Sequence, residues 1–189
     1  MRNSIFRGFM SSAIVLALLL SCGDGHSSPE SQADHKRGAA DGKTAKAQAG
    51  VLIAHYLRIK DGLIKGDGHL AAAGASAILS DLEEKNVASS SEQEGTASLR
   101  VRESIKDMAS HLVSTAGNIN HQREHFRRLS QDIHFLATSF GFYNPLYVHR
   151  CPQGTDKLDL LWLSEQKDAA SPYTGKPEPS CSSAPEIIR

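Results

Sequence analysis

The sequence of 189 residues has no excess of either charge, few cysteines and few aromatic side chains. Lys and Arg together number 21, as do Asp and Glu, so the chain has no basic field that would attract nucleic acid. The sequence also lacks a phosphate-binding loop, a dinucleotide-binding fingerprint and a recognisable motif of paired catalytic carboxylates. We therefore predict a protein that is not an enzyme and that has no nucleic-acid partner.

Long apolar runs are scarce as well, and the one that stands out lies at the N-terminus. Arg2 and Arg7 precede an apolar run at residues 13–20, which is shorter than the ~20 residues that a spanning helix needs. This length is typical of a signal-peptide core. Ser21 and Cys22 follow in the pattern of a bacterial lipobox. We predict a lipoprotein signal peptide over residues 1–21 and lipidation of Cys22, in place of an ordinary signal followed by an incidental cysteine.

Lipidation would place the protein in the bacterial cell envelope, with the membrane as a partner and the domain facing the periplasm or the cell surface. Several acyl chains hold a protein on a membrane far better than one chain does. Cleavage after residue 21 leaves 168 residues, which suits one domain with a tail. The signal carries two of the basic residues, so 19 remain against 21 acidic ones and the mature net charge is −2 with histidine neutral.

Composition and periodicity divide the mature chain into three parts. Residues 22–45 are rich in Gly, Ala, Ser and charge without apolar periodicity, which predicts a flexible tether. Residues 46–182 form the predicted domain, and residues 183–189 form a tail. Within the domain, four segments with apolar residues at helical spacing precede Gly141. The clearest of them, the fourth, has this apolar stripe: Ile119, Phe126, Leu129, Ile133, Leu136 and Phe140.

Four helices with short connections predict a mainly α fold, an up-and-down four-helix bundle. The last 40 or so residues of the domain are rich in Pro and Gly and predict an irregular C-terminal cap that can accommodate a short β-hairpin. Leu146-Tyr147-Val148 is predicted to be extended, and residues 158–163 form either a second strand or a short helix.

An ordered set of residues resembles a known family. The set is Tyr56, Ile59-Lys60-Asp61, Gln122-Arg123, Phe126, Leu129-Ser130, Tyr147, Cys151-Pro152, Trp162-Leu163-Ser164, Ser171-Pro172-Tyr173-Thr174-Gly175 and Cys181. Over residues 50–182 it resembles the domain-of-unknown-function 3347 family. The resemblance implies a periplasmic helical domain that occurs alone in lipoproteins and attached to adaptor subunits of heavy-metal efflux systems of the copper/silver type.

The chain departs from the family pattern where methionine is usual. Gln153 follows Cys-Pro, residues 176–180 contain no methionine, and Ser182 follows the last cysteine where glycine is common. Cysteine and methionine are the soft ligands that suit Cu(I). The resemblance therefore supports the fold and the location better than it supports copper binding.

Cys151 and Cys181 have two alternative roles. They can act as thiolate ligands for Cu(I) or Zn²⁺, with His149 as a third ligand, because alternate residues of a strand point to one face. They can also form a disulfide that holds the cap, as an isolated pair does in an oxidising compartment. The two alternatives exclude each other, since oxidised sulfurs bind metal badly.

The fourth helix carries two further candidates. His121 and His125 are spaced i, i+4 on one helix face, which is a workable arrangement for two metal ligands. They lie off the apolar stripe among several arginines, so we expect a solvated polar face. Arg123 borders the stripe, and we expect it to be buried and to pair with Asp61 or Glu103.

Two aromatic residues of the cap, Trp162 and Tyr173, are expected to anchor the cap to the bundle.

In function, we expect a lipid-anchored binding or accessory module in copper or other heavy-metal homeostasis or efflux. Its candidate cofactor is a copper or zinc ion, and its candidate partner is a heavy-metal efflux complex or another envelope protein. The alternative is a structural protein–protein interaction module that binds no metal and whose two C-terminal cysteines form a disulfide.

Overall fold

The computed structural model describes residues 30–88, 96–152, 160–178, 181 and 185–189. The predicted signal peptide, Cys22 and the start of the predicted tether lie outside the described residues, as do Gln153 and Ser182. Within the described part of the chain, no helix is both long and apolar enough to cross a membrane.

Four helices make up most of the structure, and the predicted mainly α, four-helix fold is confirmed. Helix α1 spans Glu30–Lys65, α2 spans Gly68–Ala88, α3 spans Thr96–Ser114 and α4 spans Ile119–Phe140. Each helix packs against the next one along the chain, and α1 also packs against α4, which closes the bundle.

Helix α1 begins earlier than the sequence analysis expected. It starts at Glu30, whereas residues 22–45 were predicted to be a tether. The segment between residues 30 and 45 has no apolar stripe, but it contains Ala, Gln, Lys and Arg, which favour a helix without any tertiary contact. Amphipathic periodicity detects only helices that bury one face, so it gave no signal here.

Local capping explains where several helices start and stop. Gly66, with φ of 72°, ends α1. The Leu70 amide then donates a 2.9 Å hydrogen bond to Asp67 Oδ1, which caps the start of α2. Asn118 Oδ1 accepts from the His121 amide at 3.2 Å and begins α4. Gly141, with φ of 72°, ends it.

The apolar stripe of α4 faces the core as predicted. Phe126, Leu129 and Ile133 are fully buried, and the stripe residues at the two ends of the helix, Ile119 and Phe140, are partly buried. The α1–α2 pair is packed closely through small residues. A Cβ on Gly62 would lie 2.5 Å from the Ala71 backbone nitrogen, so only glycine allows this approach of the two backbones.

The cap contains a three-stranded antiparallel sheet. Strand β1 spans Leu146–Cys151, β2 spans Leu160–Ser164 and β3 spans Glu186–Ile188, in the order β2-β1-β3. The predicted hairpin is β1–β2, in which His149 lies opposite Trp162. Strand β3 lies within residues 183–189, which were predicted to be a tail. Three residues are too few to show a strand period, and only pairing with β1 defines the strand.

Candidate functional site

The two C-terminal cysteines form a disulfide. Cys151, at the end of β1, is bonded to Cys181, and their Cα atoms are 4.4 Å apart, within the range that disulfides require. Cys151 is buried. Of the two alternatives that the sequence left open, the structure contains the disulfide, which ties the segment after the Pro-rich turn to the sheet.

His149 lies near this disulfide on the same strand and is engaged elsewhere. Its ring stacks on Trp162 with centroids 4.9 Å apart, and its Nε2 donates to the Gln166 carbonyl oxygen at 3.2 Å. Burial is the main cause that lowers the pKa of His149, so the imidazole is neutral at neutral pH. The predicted metal set of Cys151, Cys181 and His149 would first require reduction of the disulfide, and it stays a prediction for the reduced protein.

A tyrosine and a serine connect the bundle to the sheet. The Tyr56 hydroxyl on α1 lies 2.9 Å from Ser130 Oγ on α4 and accepts from the Leu163 amide of β2 at 3.1 Å. Burial raises the pKa of Tyr56 well above its usual range. A phenol that holds its proton so firmly is not a base at neutral pH, so the Tyr56–Ser130 pair does not resemble an activated nucleophile.

Of the two predicted aromatic anchors, Tyr173 joins the cap to the bundle directly, and Trp162 is buried in the core beside it. Tyr173 Oη donates to the Leu161 carbonyl at 2.7 Å, and the Tyr173 ring packs against Phe126 on α4 at a centroid distance of 5.8 Å. The edge of Trp162 meets the same tyrosine at 6.1 Å. Burial raises the pKa of Tyr173, which keeps the hydroxyl neutral. These rings therefore hold the sheet and the Pro-rich turn on the bundle.

Arg123 binds two backbone carbonyls and not the carboxylate that we expected. Its Nε donates to the Pro172 carbonyl at 3.0 Å and its Nη2 to the Leu63 carbonyl at 3.1 Å, rather than pairing with Asp61 or Glu103. Carbonyls in the last turn of a helix lack an intrahelical partner, and a guanidinium there satisfies them and offsets the helix dipole. The sequence could not show that the end of α1 lies beside α4.

Gln122 performs a similar role for two other helices. Its Nε2 donates to the Leu112 carbonyl in the last turn of α3 at 2.8 Å and to the Gly68 carbonyl at the start of α2 at 2.9 Å. Gly175, with φ of 73°, lies against α1, where a Cβ would be 2.9 Å from the Ile64 carbonyl oxygen. Arg123 and Gly175 thus hold the Pro-rich turn at the Lys65 end of α1, and Gln122 connects α4 to α2 and α3 at this end.

Three histidines form a cluster at that same end, and we call His111, His121 and His125 the histidine cluster. The rings of His111 and His125 are stacked, 4.3 Å apart and 5° from parallel. His121 meets His125 edge-on, and the two Nε2 atoms are 3.0 Å apart. His121 and His125 are both half-exposed, which agrees with the expected polar face. The i, i+4 spacing predicted the pair on α4, but only the packing of α3 on α4 brings His111 to it.

Two carboxylates border the histidine cluster. Glu124 Oε2 lies 3.1 Å from His121 Nδ1, and Asp107 Oδ1 lies 3.6 Å from His111 Nε2. Burial is the first cause that lowers the pKa of His125, followed by the charges of His111 and His121. His121 keeps 44% of its side-chain surface exposed, so the cluster is open to solvent on one side and neutral at its centre.

The arginines that the sequence placed around these histidines are directed elsewhere. Arg123 is bonded to the two carbonyls described above, and Arg128 Nε lies 3.4 Å from Asp132 Oδ2. Arg127 is close enough to Tyr173 to lower the pKa of its hydroxyl. Within the described ranges, no group of three or more His, Cys, Asp or Glu side chains is arranged to hold a metal ion. The cluster can therefore offer two converging ligands at most.

Comparison with known proteins identifies the family. Residues 52–144 match the model of the family described as "Protein of unknown function (DUF3347)". A search of curated proteins and a search of solved structures each found no match to the chain. The matched residues include Tyr56, Gln122, Arg123 and the histidine cluster, and they end before β1. This match supports the resemblance of the chain to the DUF3347 family.

Proposed function

We propose that the protein is a lipid-anchored accessory module of the bacterial cell envelope that takes part in handling copper or another heavy metal. The observation that carries this proposal is the disulfide between Cys151 and Cys181. Disulfides persist in oxidising compartments outside the cytoplasm, which agrees with a signal peptide and a lipidated Cys22. The metal-handling part of the proposal rests on the family resemblance, because that family also occurs attached to heavy-metal efflux adaptors.

The contacts of the described side chains support a binding role rather than a catalytic one. The polar residues that the family resemblance singles out hold the helices and the cap together. Arg123 binds the Leu63 and Pro172 carbonyls, Gln122 binds carbonyls of α2 and α3, and Tyr56 bonds to Ser130 and to the sheet. These groups are engaged in structural contacts, which leaves the outer surface of the domain for binding.

A second candidate is an interaction module that docks on an envelope partner and binds no metal. The observation that favours it is again the disulfide, because it occupies the two sulfurs that would be the soft ligands for Cu(I). The two candidates differ in one property of living cells, namely whether loss of the protein changes their tolerance to metal.

The anchor is tested first. Replacing Cys22 by serine removes the thiol that carries the lipid, so Cys22→Ser protein is expected to move from the membrane fraction to the soluble envelope fraction and to lose incorporation of labelled fatty acid. The matched control is the double variant Cys151→Ser/Cys181→Ser, which keeps Cys22 and should keep the label. Label and membrane retention in the Cys22→Ser protein would disprove the anchor.

Metal handling is tested in cells that lack the protein. We expect growth of the deletion strain to stop at a lower copper concentration than growth of the parent, and we expect the wild-type gene to restore tolerance. The same comparison with zinc and silver shows which ion matters. Unchanged tolerance to all three ions would rule out the metal role and leave the interaction module.

A further inference from the structure

The histidine cluster is arranged as a metal site that the family match does not assign. We propose that His121 and His125 form a two-imidazole site for a divalent transition metal ion, with Cu²⁺ as the ion that fits best. This inference deepens the proposed function and rests on it for its biological role, while the ligand geometry stands by itself.

The distance between the two imidazole nitrogens is compatible with adjacent ligands of one ion. The Nε2 atoms are 3.0 Å apart. Two nitrogens each about 2.0–2.1 Å from one ion and 3.0 Å apart subtend an angle of about 95° at that ion. A tetrahedral site would need them about 3.3 Å apart at the same bond lengths. Angles near a right angle are those of adjacent ligands in a tetragonal complex, the geometry that Cu²⁺ and Ni²⁺ adopt with nitrogen and oxygen ligands.

The neighbouring carboxylate prepares one imidazole for this role. Glu124 Oε2 lies 3.1 Å from His121 Nδ1, so Nδ1–H donates to the carboxylate and leaves the lone pair of Nε2 facing His125. Ligating histidines usually donate their other ring N–H to such a carboxylate, which fixes the ring and raises its basicity. Without metal, His125 Nε2–H donates to His121 Nε2.

Metal binding then requires a change of tautomer at His125 and a rotation of the two rings that turns both Nε2 atoms toward one point beside the line that joins them. The hydrogen of His125 moves from Nε2 to Nδ1, the ring stays neutral, and both Nε2 lone pairs face the ion. The stacked His111 ring, 5° from parallel with His125, holds that imidazole in place. Because the two rings are parallel, the nitrogens of His111 do not converge on the same point.

The charges around the site favour a cation. The carboxylates of Glu124 and Asp107 border the cluster, whereas Arg123 and Arg128 are bonded to groups outside it. The exposed side of His121 leaves the remaining coordination positions to water or to a group of a partner.

The decisive experiment titrates CuSO₄ into the purified, lipidated full chain in detergent, with the disulfide intact. Calorimetry and electron paramagnetic resonance should both report one Cu²⁺ bound through two nitrogens. Affinities for Ni²⁺ and Zn²⁺ should be lower, since the intrinsic preference for Cu²⁺ and the right-angle geometry act together. Cu²⁺ should also raise the melting temperature, because it binds the folded state.

The variants identify the ligands. His121→Ala and His125→Ala should each weaken Cu²⁺ binding by more than about 10-fold, because losing an outer-shell partner alone costs 10–100-fold. His69→Ala is the matched control, because His69 is an exposed histidine of α2 outside the cluster, and its affinity should stay within a few-fold of wild type. Circular dichroism confirms that each variant is folded.

Three results would overturn the site: no stoichiometric Cu²⁺ binding by the wild type, unchanged binding in the double variant His121→Ala/His125→Ala, or a loss in His69→Ala as large as in the two ligand variants. These results are separate from the tolerance experiment in cells. If the protein binds Cu²⁺ but the deletion strain keeps its copper tolerance, the site stands and the proposed function falls. If the deletion strain loses copper tolerance but the protein binds no Cu²⁺, the proposed function stands and the site falls.

Discussion

Replacing Phe126 by alanine is expected to lower the free energy of unfolding by about 3–5 kcal/mol, the range for deleting a buried aromatic ring. Phe126 is fully buried and stacks on Tyr56 at a centroid distance of 5.0 Å. It also touches Tyr173 of the cap. The cavity would therefore open where the bundle meets the cap, and both tyrosines would lose a neighbour. Urea unfolding followed by circular dichroism measures the loss.

The same helix provides a control of the same residue type. Phe135 is 39% exposed, so Phe135→Ala should change the free energy of unfolding by no more than about 0.5 kcal/mol, as substitutions of exposed residues usually do. A Phe135→Ala loss equal to the Phe126→Ala loss would show that the buried face of α4 is assigned wrongly.

Reduction of the disulfide is expected to lower the free energy of unfolding by about 3–4 kcal/mol on the entropic model. Cys151 and Cys181 are 30 residues apart, so opening the bond releases a long loop of the unfolded chain. Thiol titration of denatured, unreduced protein should find neither cysteine. Hydrogen exchange should show that the amides of β1 and β2 lose protection before those of the helices.

The double variant Cys151→Ser/Cys181→Ser controls for other effects of the reductant, because its stability should not respond to reduction. Free thiols in the unreduced protein, or a stability that reductant leaves unchanged, would contradict the disulfide. The reduced wild type also tests the other ligand set. A rise in melting temperature with Cu(I) or Zn²⁺ that His149→Ala weakens would support metal binding by Cys151, Cys181 and His149.

Features with a regular local pattern could be predicted from the sequence. The seven, three and four residue steps of the α4 stripe correspond to one buried helix face, and Phe126, Leu129 and Ile133 are buried. The cap at Asp67 follows from local backbone chemistry. The disulfide was one of two alternatives for an isolated cysteine pair, and sequence alone cannot measure the distance between the two residues.

Features that depend on packing between elements could not be predicted. Arg123 was expected to find a carboxylate, but it binds carbonyls at the end of α1, a partner that exists only once α1 lies beside α4. His111 joins His125 across two helices, and no spacing in the sequence links them. Strand β3 has three residues, fewer than a strand period can reveal.

The length of α1 has a consequence for where the histidine cluster stands. The helix has 36 residues and is therefore about 54 Å long at 1.5 Å per residue. Gln122 binds the carbonyls of Gly68 and Leu112, which puts the cluster at the Lys65 end of this rod. Glu30, near the proposed anchor, lies at the opposite end. A partner that takes metal from the cluster would therefore approach the Lys65 end of the rod, about 54 Å from the end that is nearer in sequence to the proposed lipid at Cys22.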